Sequence, residues 1–236
     1  MIRTMTFTTA LVLAAGQIAA QGFTGATLGI DYNKSLDSSD LGGVTYYGQA
    51  EVEAMAGISF ALDATAYDFA IAGSNAQNVT GHAIYLLDPQ IAIGAYFGRD
   101  WVDDDAINNY GVQGSYDYGF GIAQGYLGLG DGAVDGIIAI GASGNYDFGG
   151  GIKAIGALDG VTFDDGSGLS LEIGGEYALP NGPVFSGVLG RTSISNIGVD
   201  KQEVYLGVKA RIDLGYQGGT TFDRRGFFEG YRAVGG

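Results

Sequence analysis

The chain has 236 residues, 44 of them glycine and none cysteine, with 46% hydrophobic and 12% aromatic residues and a formal charge of -15. The lack of cysteine removes disulfides, zinc–thiolate sites and thiol nucleophiles together, and the acidic balance leaves no basic patch to displace counterions from nucleic-acid phosphates. Glycine at this level disfavours helices, at roughly 1 kcal/mol per interior site against alanine; there is no Gly-X-Y period, and the aromatic content argues against disorder. Curved β-structure uses glycine at bulges and close backbone approaches, so the composition points to an all-β protein.

Residues 1–20 read as a secretory signal peptide. Arg3 is the only charge, an apolar stretch runs from about Thr4 to Ala15, and small residues stand at Ala19 and Ala20, the order of n-region, h-region and cleavage site. The apolar part is too short for a transmembrane helix, which needs roughly 20 residues. Cleavage after Ala20 and export from the cytoplasm are expected.

From Gln21 onward the chain alternates with period two, the mark of strands whose two faces meet different surroundings. In EVYLGVKARIDLGY, Glu203, Tyr205, Lys209, Arg211 and Asp213 take one face, and Val204, Leu206, Val208, Ile212 and Leu214 the other. Twelve such segments follow in order: 23–32, 43–54, 57–67, 78–87, 90–99, 108–118, 120–130, 134–147, 151–162, 168–179, 183–194 and 203–215. Ten residues at about 3.3 Å each, tilted near 45°, span roughly 24 Å, which matches the apolar band of an outer-membrane barrel. Short turns such as MAG, DP and DFGG alternate with longer polar stretches such as NKSLDSSDLGG and RDWVDDDAINN, which places short turns on the periplasmic side and loops outside. Tyr85, Tyr116, Tyr146 and Tyr177 recur about thirty residues apart at the turn end of falling strands, on the apolar phase. That is the position of an interfacial aromatic girdle. Solenoids and propellers also repeat at such intervals, but would not set charges on one phase and apolar residues on the other. The expected fold is therefore a transmembrane antiparallel up-and-down β-barrel of about 12 strands over residues 21–216. Residues 217–236 would form a periplasmic tail, an extra strand or a plug.

The inward phase carries the functional expectation. Its acidic members include Glu51, Glu53, Asp63, Asp117, Asp147, Glu172, Glu176 and Asp213, against the basic Lys153, Arg191, Lys209 and Arg211. An acidic lumen raises cation occupancy and repels anions. Barrel closure brings strand twelve beside strand one, so the basic wall either faces Glu51, Glu53 and Asp63 across the lumen or pairs with them and fills it.

Other chemistries have weaker footing. His82, the single histidine, lies on the inward phase with Asn78 and Thr80, which is wrong for a lipid substrate, and no nucleophile accompanies it; the chain is not expected to be an enzyme. No cofactor is expected either. Asp103 to Asp105 and Asp164 to Asp165 could hold Ca²⁺ or Mg²⁺ bridging lipopolysaccharide, but lack a defined ligand spacing. A structural or adhesive barrel without an open pore is the remaining alternative, although its loops are modest for adhesion.

With its signal peptide, the Y-D-[YF]-G-x-G hairpins at Tyr116–Gly121 and Tyr146–Gly151, and Y-A-L at Tyr177, the chain resembles Gram-negative outer-membrane porins, particularly the glycine-rich porin-like proteins of alphaproteobacteria. The resemblance implies an outer-membrane channel for ions and small hydrophilic solutes, surrounded by lipid and lipopolysaccharide, delivered by the barrel assembly machinery and often trimeric. It also implies a third outer loop that folds inward to narrow the pore; here that loop would carry Trp101, Asp103, Asp104 and Asp105. Two departures stand out: porins usually have sixteen strands, and usually end on an aromatic residue, which here would be internal, near Tyr216.

Overall fold

The computed structural model describes residues 22–37, 42–69, 75–103, 105–133, 135–164, 166–180, 182–196 and 199–231. The expected leader, 1–20, lies outside them, as do Asp104 and Asp165. Twelve strands follow one another: β1 (Phe23–Ser35), β2 (Gly42–Met55), β3 (Ile58–Phe69), β4 (Asn75–Asp88), β5 (Ile91–Val102), β6 (Asp105–Asp117), β7 (Ile122–Gly132), β8 (Ile137–Gly149), β9 (Ile152–Phe163), β10 (Gly166–Ala178), β11 (Val184–Asn196) and β12 (Val199–Leu214). Each pairs antiparallel with its sequence neighbours, and β1 closes on β12 from Ala26↔Leu214 to Ser35↔Tyr205, completing the barrel. Closure leaves no backbone edge unpaired, the condition for a sheet in lipid.

All twelve expected segments are strands, but most run further at the end away from the chain termini (the far end). β5 continues to Val102 and β6 begins at Asp105, with these two residues paired. Polar side chains do not stop a strand whose backbone still finds a partner, so the acidic stretches join the ladder instead of forming loops. The constriction loop expected at Trp101 and Asp103–Asp105 is thereby corrected. Only two residues separate β5 from β6, too few to reach into the lumen, and Trp101 is exposed on the outer face with Arg99 5.8 Å from its ring centroid.

The barrel is inside out relative to a soluble protein. Leu28, Leu62, Ile93, Val112, Leu127, Ile140, Leu158, Ile173, Leu206 and Val208 are exposed around the circumference, far more apolar surface than a water-soluble protein leaves open. Tyr85, Tyr116, Tyr146 and Tyr177 lie outward at the termini end, each close to half exposed, and Phe120 and Phe148 pack beside Tyr146. This is a girdle at one membrane interface.

The glycines acquire a second explanation inside. Several lumen-facing tyrosines lie flat over a glycine of the adjoining strand: an added Cβ at Gly29 would fall 2.3 Å from the Tyr47 ring, at Gly141 2.3 Å from Tyr126, and at Gly190 2.1 Å from Tyr205. Gly29↔Tyr47, Gly141↔Tyr126 and Gly190↔Tyr205 are register partners, so the bare backbone is the seat of the ring. Gly190→Ala is expected to displace Tyr205, break its 2.9 Å bond to Glu172 and cost about 1–3 kcal/mol. Gly187→Ala, on the outer face with nothing within 4 Å, should stay within about 0.5 kcal/mol. Denaturant midpoints of both variants in lipid vesicles check the contrast.

Candidate functional site

After β12 the chain does not leave the barrel. A turn over Gly215–Gly218, with Gln217 N–H donating to the Thr24 carbonyl, sends residues 219–231 up the inside of the lumen. Over its described residues, to Tyr231, the tail is thus neither periplasmic nor a further strand. It is a plug with a short 3₁₀ turn (Phe227–Tyr231) at its upper end.

Successive tail residues reach different walls. Thr221 donates through both its N–H and its hydroxyl to the Glu51 carboxylate, at 2.7 and 2.9 Å. Phe222 packs against Ile84 and Ala92, and its carbonyl accepts from Gln49. Asp223 accepts from the Ser143 hydroxyl at 2.7 Å. Arg224 pairs with Asp31 at 2.9 Å and with Glu229 at 3.3 Å, and lies 3.6 Å over the Tyr47 ring. Burial opposes its charge, but Glu229 and Asp31 more than reverse this, and its pKa is raised. Arg225 donates to Gln113 at 3.1 Å, stacks 4.4 Å from Tyr126, and its carbonyl accepts from Thr80 at 2.7 Å. At the far end Phe227 closes an apolar layer with Ile107, Ile137 and Val161, while Phe228 meets Tyr67 and Phe69.

Between this plug and the wall formed by β7 to β12, continued over β1 and β2, a cavity of about 300 Å³ remains. Its lining begins with Ile122 and Gly218 at the termini end and rises to Glu172, Lys209 and Glu229. The wall is charged in pairs: Lys209 meets Glu172 at 2.9 Å, and Arg211 forks onto Glu176 at 2.5 and 3.0 Å while its Nε donates to Asp213 at 2.8 Å. Lys153 lines the same cavity with no ion pair among the described residues. The arrangement can hold water and ions beside the tail.

The structure sorts the residues expected in the lumen. Glu51, Asp63, Glu172 and Glu176 are buried inside, and Lys153, Lys209, Arg211 and Asp213 line the cavity. Glu53 lies at the termini end, where its side chain caps the β2–β3 turn at Gly57 N–H. Asp117 and Asp147 cap hairpin turns through Gly119 and Gly149 N–H, each at 2.7 Å; they serve local turn geometry at the rim. Arg191 is a correction. It is exposed, opposite in phase to the inward Gly190 and Thr192, and bonds to Gln202. PVFSGVLGRTSIS alternates poorly by residue type, and the true phase puts Val184, Ser186, Val188 and Thr192 inside. The basic wall and Asp63 do not pair across the lumen; each finds a closer partner, and the tail lies between.

His82 belongs to a buried polar chain. Its Nε2–H donates to Asp63 at 2.8 Å, and its Nδ1 accepts from Gln113 Nε2 at 2.7 Å. Gln113 turns its oxygen to Arg225, which fixes the amide orientation and hence the imidazole tautomer. Gln49 completes the chain on the other Asp63 oxygen at 2.9 Å. Among the described residues there is no group of three or more histidines or acidic residues placed to hold a metal. The alternation of NYGVQGSYDY sets Gln113 on the polar phase, but strand alternation could not reveal that Arg224 and Arg225 of the tail enter the lumen, or that Asp100 accepts from Phe227 N–H there. The one available signal was the pair of arginines in an otherwise acidic chain, just past the last strand.

No family model and no curated protein matches the sequence. Among solved structures the KdgM porin is similar, with a TM-score of 0.59 and 9% identity over 78% of this chain and 97% of that one. The KdgM porin in complex with disordered oligogalacturonate gives 0.58 and 9%, over 80% and 98%. An outer membrane channel from Pseudomonas putida F1 gives 0.55 and 12%, over 82% and 96%. The likeness is one of fold, a closed antiparallel β-barrel shared with these outer-membrane proteins.

Proposed function

We propose that the chain is an outer-membrane porin-like channel for ions and small hydrophilic solutes, cation-preferring, in which the C-terminal segment occupies the lumen and sets how open it is. The observation that carries this reading is the charged cavity of about 300 Å³ that remains beside the tail. A barrel built only for structure gains nothing from wall charges kept around 300 Å³ of unfilled space. Cation preference follows from the groups the tail covers. When Arg224 and Thr221 withdraw, Asp31 and Glu51 face water, and the lumen gains exposed negative charge.

The wider setting belongs to the same proposal. The termini end would face the periplasm, its tyrosine girdle at the inner interface, with lipid and lipopolysaccharide around the barrel. Membership of the glycine-rich porin-like kind is part of the same proposal. Trimer formation and delivery by the assembly machinery remain part of the reading that the resemblance implies. A catalytic role is not proposed, because both His82 nitrogens are engaged by Asp63 and Gln113.

The second reading, a closed structural barrel, is favoured by the tail itself, which touches most walls of the lumen. Reconstitution of the full chain into planar bilayers under a salt gradient separates the two. The channel reading expects brief steps whose reversal potential has the cation-selective sign; anion-selective steps would contradict the acidic lumen.

A further inference from the structure

We propose that His82 is a proton sensor which, through Gln113 and Arg225, couples the pH of the lumen to docking of the C-terminal segment; the inference deepens the channel reading and rests on it for its functional consequence. A histidine is the side chain suited to change charge between about pH 5 and 8. Here the ring is tied to the plug by a single amide.

The mechanism follows from donors and acceptors. With the tail docked, Gln113 accepts from Arg225 Nε and donates to His82 Nδ1. A proton added at Nδ1 makes that nitrogen a donor, and the Gln113 amide must then turn its oxygen to the imidazolium. The turn presents the amide NH₂ to the Arg225 guanidinium, donor against donor, and the bond is lost. The new positive charge also stands near the positive Arg225. When the tail is out, Gln113 is free to turn and the Arg225 charge is gone, so protonation and docking oppose each other reciprocally.

The charged and titratable groups around the ring are few. Asp63 of β3 faces Nε2, Tyr96 of β5 lies 6.2 Å away ring to ring, and Tyr126 of β7 supports Arg225 of the tail. Asp63 is already satisfied by the Nε2–H and by Gln49, so it accepts the imidazolium without rearrangement. The response is therefore directed to the Gln113 side. Other carboxylates also hold the tail, Glu51 at Thr221 and Asp31 and Glu229 at Arg224, and a sensor at His82 must be told apart from them.

The test uses the full chain in vesicles and planar bilayers at about pH 7.5 and about pH 5. A spin label goes on Thr220→Cys, a unique site because the chain has no cysteine. The label should be immobile at the higher pH and mobile at the lower, and the open probability should rise about tenfold, the loss of one charge-assisted hydrogen bond. His82→Gln should abolish both changes, and Arg225→Ala should give a mobile label at both pH values. A label that stays immobile at pH 5, or His82→Gln loosening as much as the unsubstituted chain, would overturn the sensor. If the label loosens as expected but neither the unsubstituted chain nor Arg225→Ala conducts, the sensor stands and the channel reading fails.

Discussion

Replacing Arg224 with alanine is expected to free the C-terminal segment from the lumen while the barrel stays closed. Arg224 stands against Asp31 and Glu229, at 2.9 and 3.3 Å, and both carboxylates are buried. Removing one partner of a buried ion pair costs about 3–5 kcal/mol, and here Asp31 loses the guanidinium that it meets at 2.9 Å. The variant relieves that cost by letting the tail go: Glu229 leaves with it, and Asp31 becomes hydrated. The barrel has no such dependence, since the β1–β12 ladder runs through ten paired positions without the tail. Limited trypsin digestion of vesicle-embedded protein reads the outcome. Cleavage near Arg225 in the variant, with the barrel still migrating in its heat-modifiable folded form, is the expected result; equal protection of both proteins would show that Arg224 is not the anchor. Arg224→Lys should restore only part of the protection, because an ammonium cannot stack flat on Tyr47 as the guanidinium does.

Ending the chain at Gln217 should have the larger effect on permeation. The truncation removes Phe227 from the layer it forms with Ile107, Ile137 and Val161, and it uncovers Glu51 and Asp100, which otherwise accept from tail N–H groups. The wall cavity then merges with the volume that the tail occupied. In liposome-swelling measurements the full chain should admit ions but exclude hexoses, and the truncated chain should admit both. Hexose exclusion by a folded truncated barrel would mean that wall side chains alone fill the lumen, and the structural reading would lead.

Much of this barrel was legible in the sequence because strand alternation is a local signal. Val204 to Leu214 and Leu169 to Tyr177 each declare their two faces residue by residue, and lipid on one side and polar lumen on the other keep the pattern clean. The strand ends were less legible. Asp100 and Asp105 look like loop residues by type, yet a backbone that still finds a ladder partner continues regardless of side-chain polarity. Arg191 was misplaced for a related reason: between Gly187 and Gly190 the alternation carries too little contrast to fix the phase. The plug was hardest to foresee. Thr221, Asp223 and Arg224 have no periodic pattern, and their meaning lies in partners such as Glu51, Ser143 and Asp31, which are 80 or more positions away. The buried carboxylates gave the complementary hint, since acidic groups inside a narrow barrel need donors from somewhere.

The most direct measurement is the single-channel conductance of the chain ending at Gln217 beside that of the full chain, in the same bilayer and under a salt gradient. The account expects larger and longer cation-selective steps from the shortened protein, against brief, small steps from the full chain. Silence from a shortened protein shown to be a folded barrel, or steps of equal size from both, would contradict a lumen held closed by its own C-terminal segment.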